Sequence, residues 1–390
     1  MHAIGHALAE AFDMLWDVLW PLAFGFILSA IVQTLVSRDA IARSLGSTSV
    51  RSLRNATLLG AASSSCSYAA VAIGRALFRK GASFPAAIVF QFASTNLVFE
   101  LGLILLILLG WSFLGAELAG GLLMIVILAL VFRWTLTPRL VNQARLEAEL
   151  GRAGRMEGHG AMDMSVTEGP FLRRLFSARG VTAVSHYFWM DLTAIWTDLG
   201  LGFLIAGALA AWVPSSFWQS FFLRGHPVIA EIWGPLIGPV IAMLSFVCSV
   251  GNVPLAAVLW AGGISFGGAI SFIFADLLIL PILDIYRRYY GWRMAAYLAI
   301  VSYVAMAAAG LLISLLFQAL HAIPARRAAG AIFSGPQLDY TSVLNLVALV
   351  VMALLGWRFL RTGGLAMLRM MDVPVSGSEP MSHDHQHHHH

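Results

Sequence analysis

The stretch Ala61-Ala62-Ser63-Ser64-Ser65-Cys66-Ser67 interrupts an apolar run from Asn55 to Phe78 with small, mostly hydroxyl-bearing side chains. Inside a bilayer such groups have no water to satisfy them, so they must face protein or a water-filled path. A second interruption, Ser245-Phe246-Val247-Cys248-Ser249-Val250-Gly251-Asn252-Val253-Pro254, holds the other of the chain's two cysteines. There Gly251 loosens the backbone and Pro254 removes a helix hydrogen bond, so a broken helix is predicted.

The two interruptions read as copies. With Cys66 set on Cys248 (248 − 66 = 182), Ser67 meets Ser249, Gly81 meets Gly263 and Ser83-Phe84 meets Ser265-Phe266. Ala87-Ile88 meets Ala269-Ile270, and Phe90, Phe92 and Ala93 meet Phe272, Phe274 and Ala275. An upstream echo, Gly25-Phe26 against Gly202-Phe203, needs a slightly different offset. An internal duplication is the reading, and duplicated halves with matching polar breaks are how many transporters build a site at the repeat interface.

Composition fixes the class. In 390 residues, 59% are hydrophobic and 11% charged, more apolar surface than a soluble core of that length can bury. Windows of roughly 20 apolar residues, enough to cross a hydrocarbon core as helix, run near Leu15–Val36, Asn55–Phe78, Phe84–Trp111, Leu118–Trp134, Ala194–Val213, Gly234–Trp260, Ile264–Ile285, Met294–Leu320 and Leu344–Leu360. None alternates polar and apolar as a barrel strand would. The first window is preceded by His2, His6, Glu10 and Asp13, without the basic start and cleavage site of a signal peptide, and reads as a retained membrane helix. The fold class is therefore an all-α polytopic membrane protein of two four-helix repeats with broken helices plus an extra C-terminal helix. Its parts are residues 1–134, the first membrane repeat; 135–190, a cytoplasmic linker with an interfacial helix; 191–320, the second repeat; and 321–390, the extra helix with a polar His-rich tail.

The connection from 135 to 180 carries Arg139, Arg145, Arg152, Arg155, Arg173, Arg174 and Arg179, which places it in the cytoplasm by the positive-inside rule. Four spans before it put the N-terminus there too, and four after it make a parallel repeat the simplest count. That count leaves Arg38, Arg43, Arg51, Arg54, Arg287, Arg288 and Arg293 outside, and sets the basic tail Arg358 to Arg369 on the wrong face; an inverted repeat with a re-entrant window is the other solution. Within the connection, Met156 to Met164 mixes Met and His and reads either as a soft-metal segment or as a plain linker. The run Ser382 to His390 reads equally as a metal-binding tail or an affinity tag.

Site residues follow from the breaks. Ser63, Ser64, Ser65, Cys66 and Ser67 in one half and Cys248, Ser249, Asn252 and Pro254 in the other are the candidate substrate contacts, with Cys66 and Cys248 as candidate metal or metalloid ligands. A further polar break follows each turn. In the first half it is Ser94-Thr95-Asn96 with Glu100 one turn on; in the second, Asp276 takes the place of Ser94. Asn96 joins the substrate set, while Glu100 and Asp276 are the intramembrane acids best suited to carry protons. Small polar residues that merely let helices pack closely are the bland alternative. Asp191 and Asp198 read as shallower, interfacial groups.

The Ser/Cys break, the Lys80-Gly81-Ala82-Ser83 turn and the Phe90 to Asn96 segment resemble the predicted-permease family that includes the organoarsenical efflux permeases. The second half resembles it more closely, through Cys248-Ser249, Pro254, Gly263-Ile264-Ser265-Phe266-Gly267 and Ala275 to Leu283. The resemblance implies an eight-helix permease core whose paired cysteine segments form the transport site. Many members place a second cysteine two residues after the first and a proline shortly beyond; here those positions are Tyr68 and Ala72.

The chain carries no phosphate loop, and its one lysine, Lys80, precedes Gly81, so nucleotide hydrolysis by that route is excluded. A secondary transporter or channel-like permease for a small molecule or ion is expected, not an enzyme, with no cofactor and no nucleic-acid partner. Thiols favour a soft metal or metalloid cargo, with efflux across a prokaryotic cytoplasmic membrane; a homo-oligomer is compatible with the sequence. The alternatives are a membrane-embedded thiol redox enzyme, which the lack of C-x-x-C disfavours, and a non-transporting membrane scaffold.

Overall fold

Residues 2–35, 44–65, 67–149, 164–166, 169–245, 249–325, 335–337 and 339–372 are described in the computed structural model. The first half runs α1 (His2–Leu35), α2 (Val50–Ser63), α3 (Ser67–Arg79), α4 (Phe84–Asn96), α5 (Phe99–Leu108) and α6 (Trp111–Thr135). Helices α7 (Pro138–Glu149) and α8 (Phe171–Leu175) lie in the long connection. The second half runs α9 (Ala178–Trp212), α10 (Ser215–Phe221), α11 (Pro227–Ser245), α12 (Ser249–Gly262), α13 (Phe266–Phe274), α14 (Leu280–Tyr290) and α15 (Trp292–Ala319), followed by α16 (Tyr340–Arg361) and α17 (Gly364–Asp372). By length and composition, six helical segments among these residues can cross a membrane, α1, α4–α5, α6, α11, α15 and α16, and α13 with α14, bent by 41° at their junction, gives a seventh; the apolar part of α9, Leu199–Trp212, is shorter. The all-α polytopic class stands.

Not every apolar window becomes a crossing. The window at 55–78 is two helices, and its ends meet: Ser83, just after α3, takes its N–H to Leu45 O at 2.8 Å and its Oγ to Ser47 O at 2.8 Å, just before α2. The window at 234–260 is likewise split into α11 and α12. The stretch before α11 meets the turn after α12, with Trp218 packed on Gly262 and Arg224 on Gly263. Each pair is a hairpin with its polar interruption at the tip. Pro254 does not break its helix, since α12 runs through both Gly251 and Pro254; α11 ends at Ser245 and α12 starts at Ser249, with the three residues between them outside the described residues.

Local chemistry at the hairpin exits is the same in both halves. Gly81 and Gly263 adopt φ of 103° and 117°, a region closed to side chains with a Cβ. Two residues on, Ser83 and Ser265 cap α4 and α13 by accepting from Ala86 N and Gly268 N. Gly110 and Gly291, at φ of 88° and 82°, begin α6 and α15 in the same way.

Helices matched by the sequence offset run in opposite directions. Near the end of α9, Gly207 lies against Ala7 and Ala11 near the start of α1, and Gln33 near the end of α1 donates to Asp191, in the first half of α9, at 2.8 Å. Thr135 at the end of α6 meets Tyr297 at the start of α15, hydroxyl to hydroxyl at 2.7 Å, while Gly115 meets Phe317 at their other ends. The parallel arrangement is overturned. Its error was counting each hairpin as a crossing; a hairpin returns the chain to the face it left, so the first half makes an odd number of passes (α1, α4–α5, α6) and the second half starts inverted.

The same correction moves the N-terminal end of α1 to the face opposite the long connection, because Leu35, at the other end of α1, accepts from Arg174 of that connection. It also gathers the arginines. Arg51 and Arg54 at the start of α2, Arg79 at the end of α3, Arg287 and Arg288 at the end of α14 and Arg293 at the start of α15 now share the face of the connection. Arg358 of α16 donates to Ala178 O there at 2.7 Å, so the basic tail belongs to it as well. Helix α16 is fixed on α1 by the buried Asn345, whose Nδ2 donates to Trp16 O (2.7 Å) and whose Oδ1 accepts from Trp20 N (2.9 Å). At the centre, α13 is buried along its whole length and α4 at every residue but Pro85. Arg38, Arg43, Met156 to Asp163 and the His-rich run from Ser382 lie outside the described residues.

Candidate functional site

Helix α2 ends because Ser64 turns left-handed, at φ 41° and ψ 82°. That turn strips carbonyls from the helix ladder and frees the amide that follows, and these are answered from other helices. Ser29 of α1 donates to Ser63 O at 3.3 Å and to Ser64 O. The Ser65 N–H goes to Ser94 O of α4 at 2.9 Å, and the Ser64 hydroxyl donates to Glu100 Oε2 on α5. Ser63 Oγ closes back on Gly60 O at 2.9 Å. A left-handed serine so tightly tied is a built feature of the tip.

Beyond Ser94 the chain breaks again. Helix α4 stops at Asn96 and α5 starts at Phe99; the corresponding break in the second half is a single 3₁₀ turn, Ala275–Leu277, that carries Asp276. Here the halves meet. Asp276 is fully buried; its Oδ2 accepts from Ser67 Oγ at 2.8 Å and its Oδ1 from Asn96 Nδ2 at 3.4 Å. Ser67 is the first residue of α3, so the carboxyl stands at the positive end of that helix, where a negative charge is favoured.

Of the expected site residues, Ser67, Asn96 and Asp276 thus form one cluster and Ser63, Ser64 and Glu100 another, joined by the bond from Ser65 to Ser94. Ser249 begins α12, with Asn252 and Pro254 in its first turns; Asn252 is fully buried with neither amide atom hydrogen-bonded among the described residues. Cys66 and Cys248 lie outside the described residues. Among those residues no three His, Cys, Asp or Glu side chains group as metal ligands.

Three placements bear on the site beyond the expected residues. Asp191 is buried and not a solvated helix end: Gln33 bonds it at 2.8 Å and also reaches Ser29 at 3.1 Å, so the acid is wired to the first hairpin tip. Arg75 is buried, lies 4.2 Å over the Tyr289 ring and donates to Ala148 O at 2.9 Å, at the end of α7 in the long connection. Glu117 of α6 is fully buried with no partner to either oxygen among the described residues. The sequence signal for Glu117 was plain, since it is the only charge between Trp111 and Phe132.

Two opposed hairpins, each with a polar tip and each followed by a broken helix, make a buried hydrophilic centre in an otherwise apolar bundle. Residues 3–315 match the family described as "Predicted permease". Over 384 residues the chain is 57% identical to "Putative permease Rv2963" of Mycobacterium tuberculosis (strain ATCC 25618 / H37Rv), an alignment that covers 98% of this chain and 94% of that protein. No solved structure matches. With that family matched from the start of α1 almost to the end of α15, the chain belongs to the predicted-permease family.

Proposed function

We propose that this permease exports a small soft metal or metalloid species across a prokaryotic cytoplasmic membrane, through a site between the two hairpin tips, and that proton movement through Glu100 and Asp276 drives it. The observation that carries the reading is Asp276, held by Ser67 and Asn96 of the opposite half at the point where broken helices converge. Inverted halves that share one central site are the arrangement in which rocking of one half against the other exposes that site alternately to each face. The duplicated sequence supports it, and so does the gathering of arginines on the face of the long connection, which makes that face cytoplasmic.

Cargo follows from the cysteines. Cys66 and Cys248 occupy matching places in the two interruptions, and thiolates select soft cations and trivalent metalloids over hard ones. The buried acids suit the energy source, because the sequence carries no phosphate loop for nucleotide hydrolysis and an intramembrane carboxyl is costly unless it has work to do. Everted membrane vesicles test both points. They are expected to accumulate a trivalent arsenical when the chain is present, faster with an imposed pH gradient, and Cys66→Ser, Cys248→Ser or the double variant is expected to abolish this. Glu100→Gln and Asp276→Asn are expected to remove the gradient's effect. Accumulation no greater than in vesicles without the protein, for arsenical, mercuric and cuprous probes alike, would refute the cargo.

A further inference from the structure

Glu117 sits on α6 in a position the transport reading has not yet used. One turn beyond it, α6 has Gly120 and Gly121 because other elements come too close for side chains. A Cβ on Gly120 would stand 2.9 Å from the Phe274 ring and 3.0 Å from Ile313, and one on Gly121 would stand 2.7 Å from Leu97. Phe274 ends α13 and Leu97 follows α4, so α6 is pressed against the place where both broken helices break. Glu117 lies three and four residues before Gly120 and Gly121, so it shares their face of α6, the face turned to Phe274 and Leu97, which respectively precede Asp276 by two residues and follow Asn96 directly. Other buried polar atoms of this region also lack partners among the described residues: Ser65 Oγ, Asn96 Oδ1 and the Asn252 amide, on a helix that packs against the Asp276 turn.

The charged groups on elements around α6 are mostly acids. Glu100 lies on α5 and Asp276 on the 3₁₀ turn after α13; Glu231 of α11 is bonded by Ser314 of α15. The arginine of α15, Arg293, is at that helix's opposite end from the part that packs near Glu117. Helices α4 and α13 carry no charge. A buried carboxylate with neither donor nor cation, in a region that holds a second buried acid, is far costlier than a neutral carboxylic acid.

We propose that Glu117 and Asp276 form a carboxyl pair that holds the transported proton, so that the pair and not either acid alone is the coupling site. This rests on the proton-coupled reading above and adds a residue to it. Loading transfers one proton from solvent to the pair, which goes from one negative charge to none; release to the opposite face restores the charge. Glu117→Gln imitates the neutral Glu117 in shape, so the variant is expected to fold as the parent does and to lose coupling.

Purified parent, Glu117→Gln, Glu117→Asp and Asp276→Asn in liposomes supply the test. Infrared pH titration of the carboxyl C=O band needs no cargo: Glu117→Gln is expected to remove a protonated-carboxyl signal and to change the titration of what remains, and Glu117→Asp to retain it. With a trivalent arsenical as probe, Glu117→Gln is expected to keep counterflow exchange, lose accumulation driven by a pH gradient, and melt with the parent. An infrared titration identical to the parent's overturns the pair. So does full gradient-driven accumulation in Glu117→Gln, or a large drop in its melting temperature, which would mean an ionised Glu117 with a partner. If the parent itself shows no counterflow, the transport reading fails for that cargo, while the infrared result still decides the pair.

Discussion

Replacing Gly60 with alanine tests whether the first hairpin is seated as closely as its tip chemistry requires. A Cβ at Gly60 would stand 2.5 Å from Phe90 O, 2.9 Å from Ala93 Cβ and 3.2 Å from Ser94 N. Two of these neighbours are backbone atoms of α4, so the strain is relieved only by moving α2 off α4. That movement stretches the bond from Ser65 N to Ser94 O, now 2.9 Å. Overpacking costs about 1–3 kcal/mol and the weakened hydrogen bond about 1 kcal/mol, while alanine's better helix propensity returns about 1 kcal/mol. The net expectation is a loss of roughly 1–3 kcal/mol, read as a lower midpoint of thermal unfolding in detergent. Gly5→Ala on α1 is the control, because no atom lies within 4 Å of its Cβ. It is expected to be neutral or slightly stabilising. Gly60→Ala is also expected to reduce transport at temperatures where the protein stays folded, since Ser64 and Ser65 ride on the displaced tip. A Gly60→Ala protein that melts and transports like Gly5→Ala would refute the close seating, and with it the claim that α4 positions the tip.

Ser64→Gly relieves a left-handed serine but removes the donor to Glu100; the two effects, each about 1 kcal/mol, are expected to leave the melting temperature nearly unchanged while transport falls. Arg75→Ala removes a buried guanidinium from the Tyr289 ring and from Ala148 O and is expected to cost about 2–4 kcal/mol by thermal unfolding; Arg75→Lys should recover little of it, lacking the planar face. Asn345→Leu strips both bonds from the backbone of α1 and is expected to cost about 1–2 kcal/mol, with α16 becoming accessible to protease before the rest of the chain.

Much of this architecture was legible in the residues themselves. Gly81, Ser83 and their partners Gly263 and Ser265 announced the turns and caps, because backbone sterics and N-capping depend on single residue types that sequence displays directly. The breaks at Ser64, Asn96 and Asp276 were legible as polar groups placed where lipid would leave them unsatisfied. Topology was not. Hydropathy measures how apolar a segment is and is blind to whether the chain passes through or folds back, so the hairpins at 55–78 and 234–260 looked like crossings. The arginines held the missing information: Arg51, Arg54, Arg287, Arg288 and Arg293 could share the face of the long connection only if both hairpins were re-entrant. Asp191 was misjudged for another reason, since its distance from a helix end says nothing of Gln33, which reaches it from a helix 158 positions away in sequence.

The two halves agree at their turns and differ at their centre, and the physics of each place explains the contrast. A turn is a problem of backbone geometry, which each half solves for itself, so Gly110 and Gly291 or Ser83 and Ser265 do the same task twice. The centre is a single volume that both halves line. Asp276 enters it from the second half and takes donors from Ser67 and Asn96 of the first. Ser94 occupies the position in the first half that corresponds to Asp276, and it contributes a carbonyl to Ser65 where a second aspartate would bring another charge. Two buried carboxylates so related by a pseudo-twofold would repel across a medium with little water to screen them, at a cost of several kcal/mol. An acid in one copy and a serine in the other avoids that repulsion in a site shared between inverted halves, and residue 282, isoleucine where the first half has Glu100, follows the same logic.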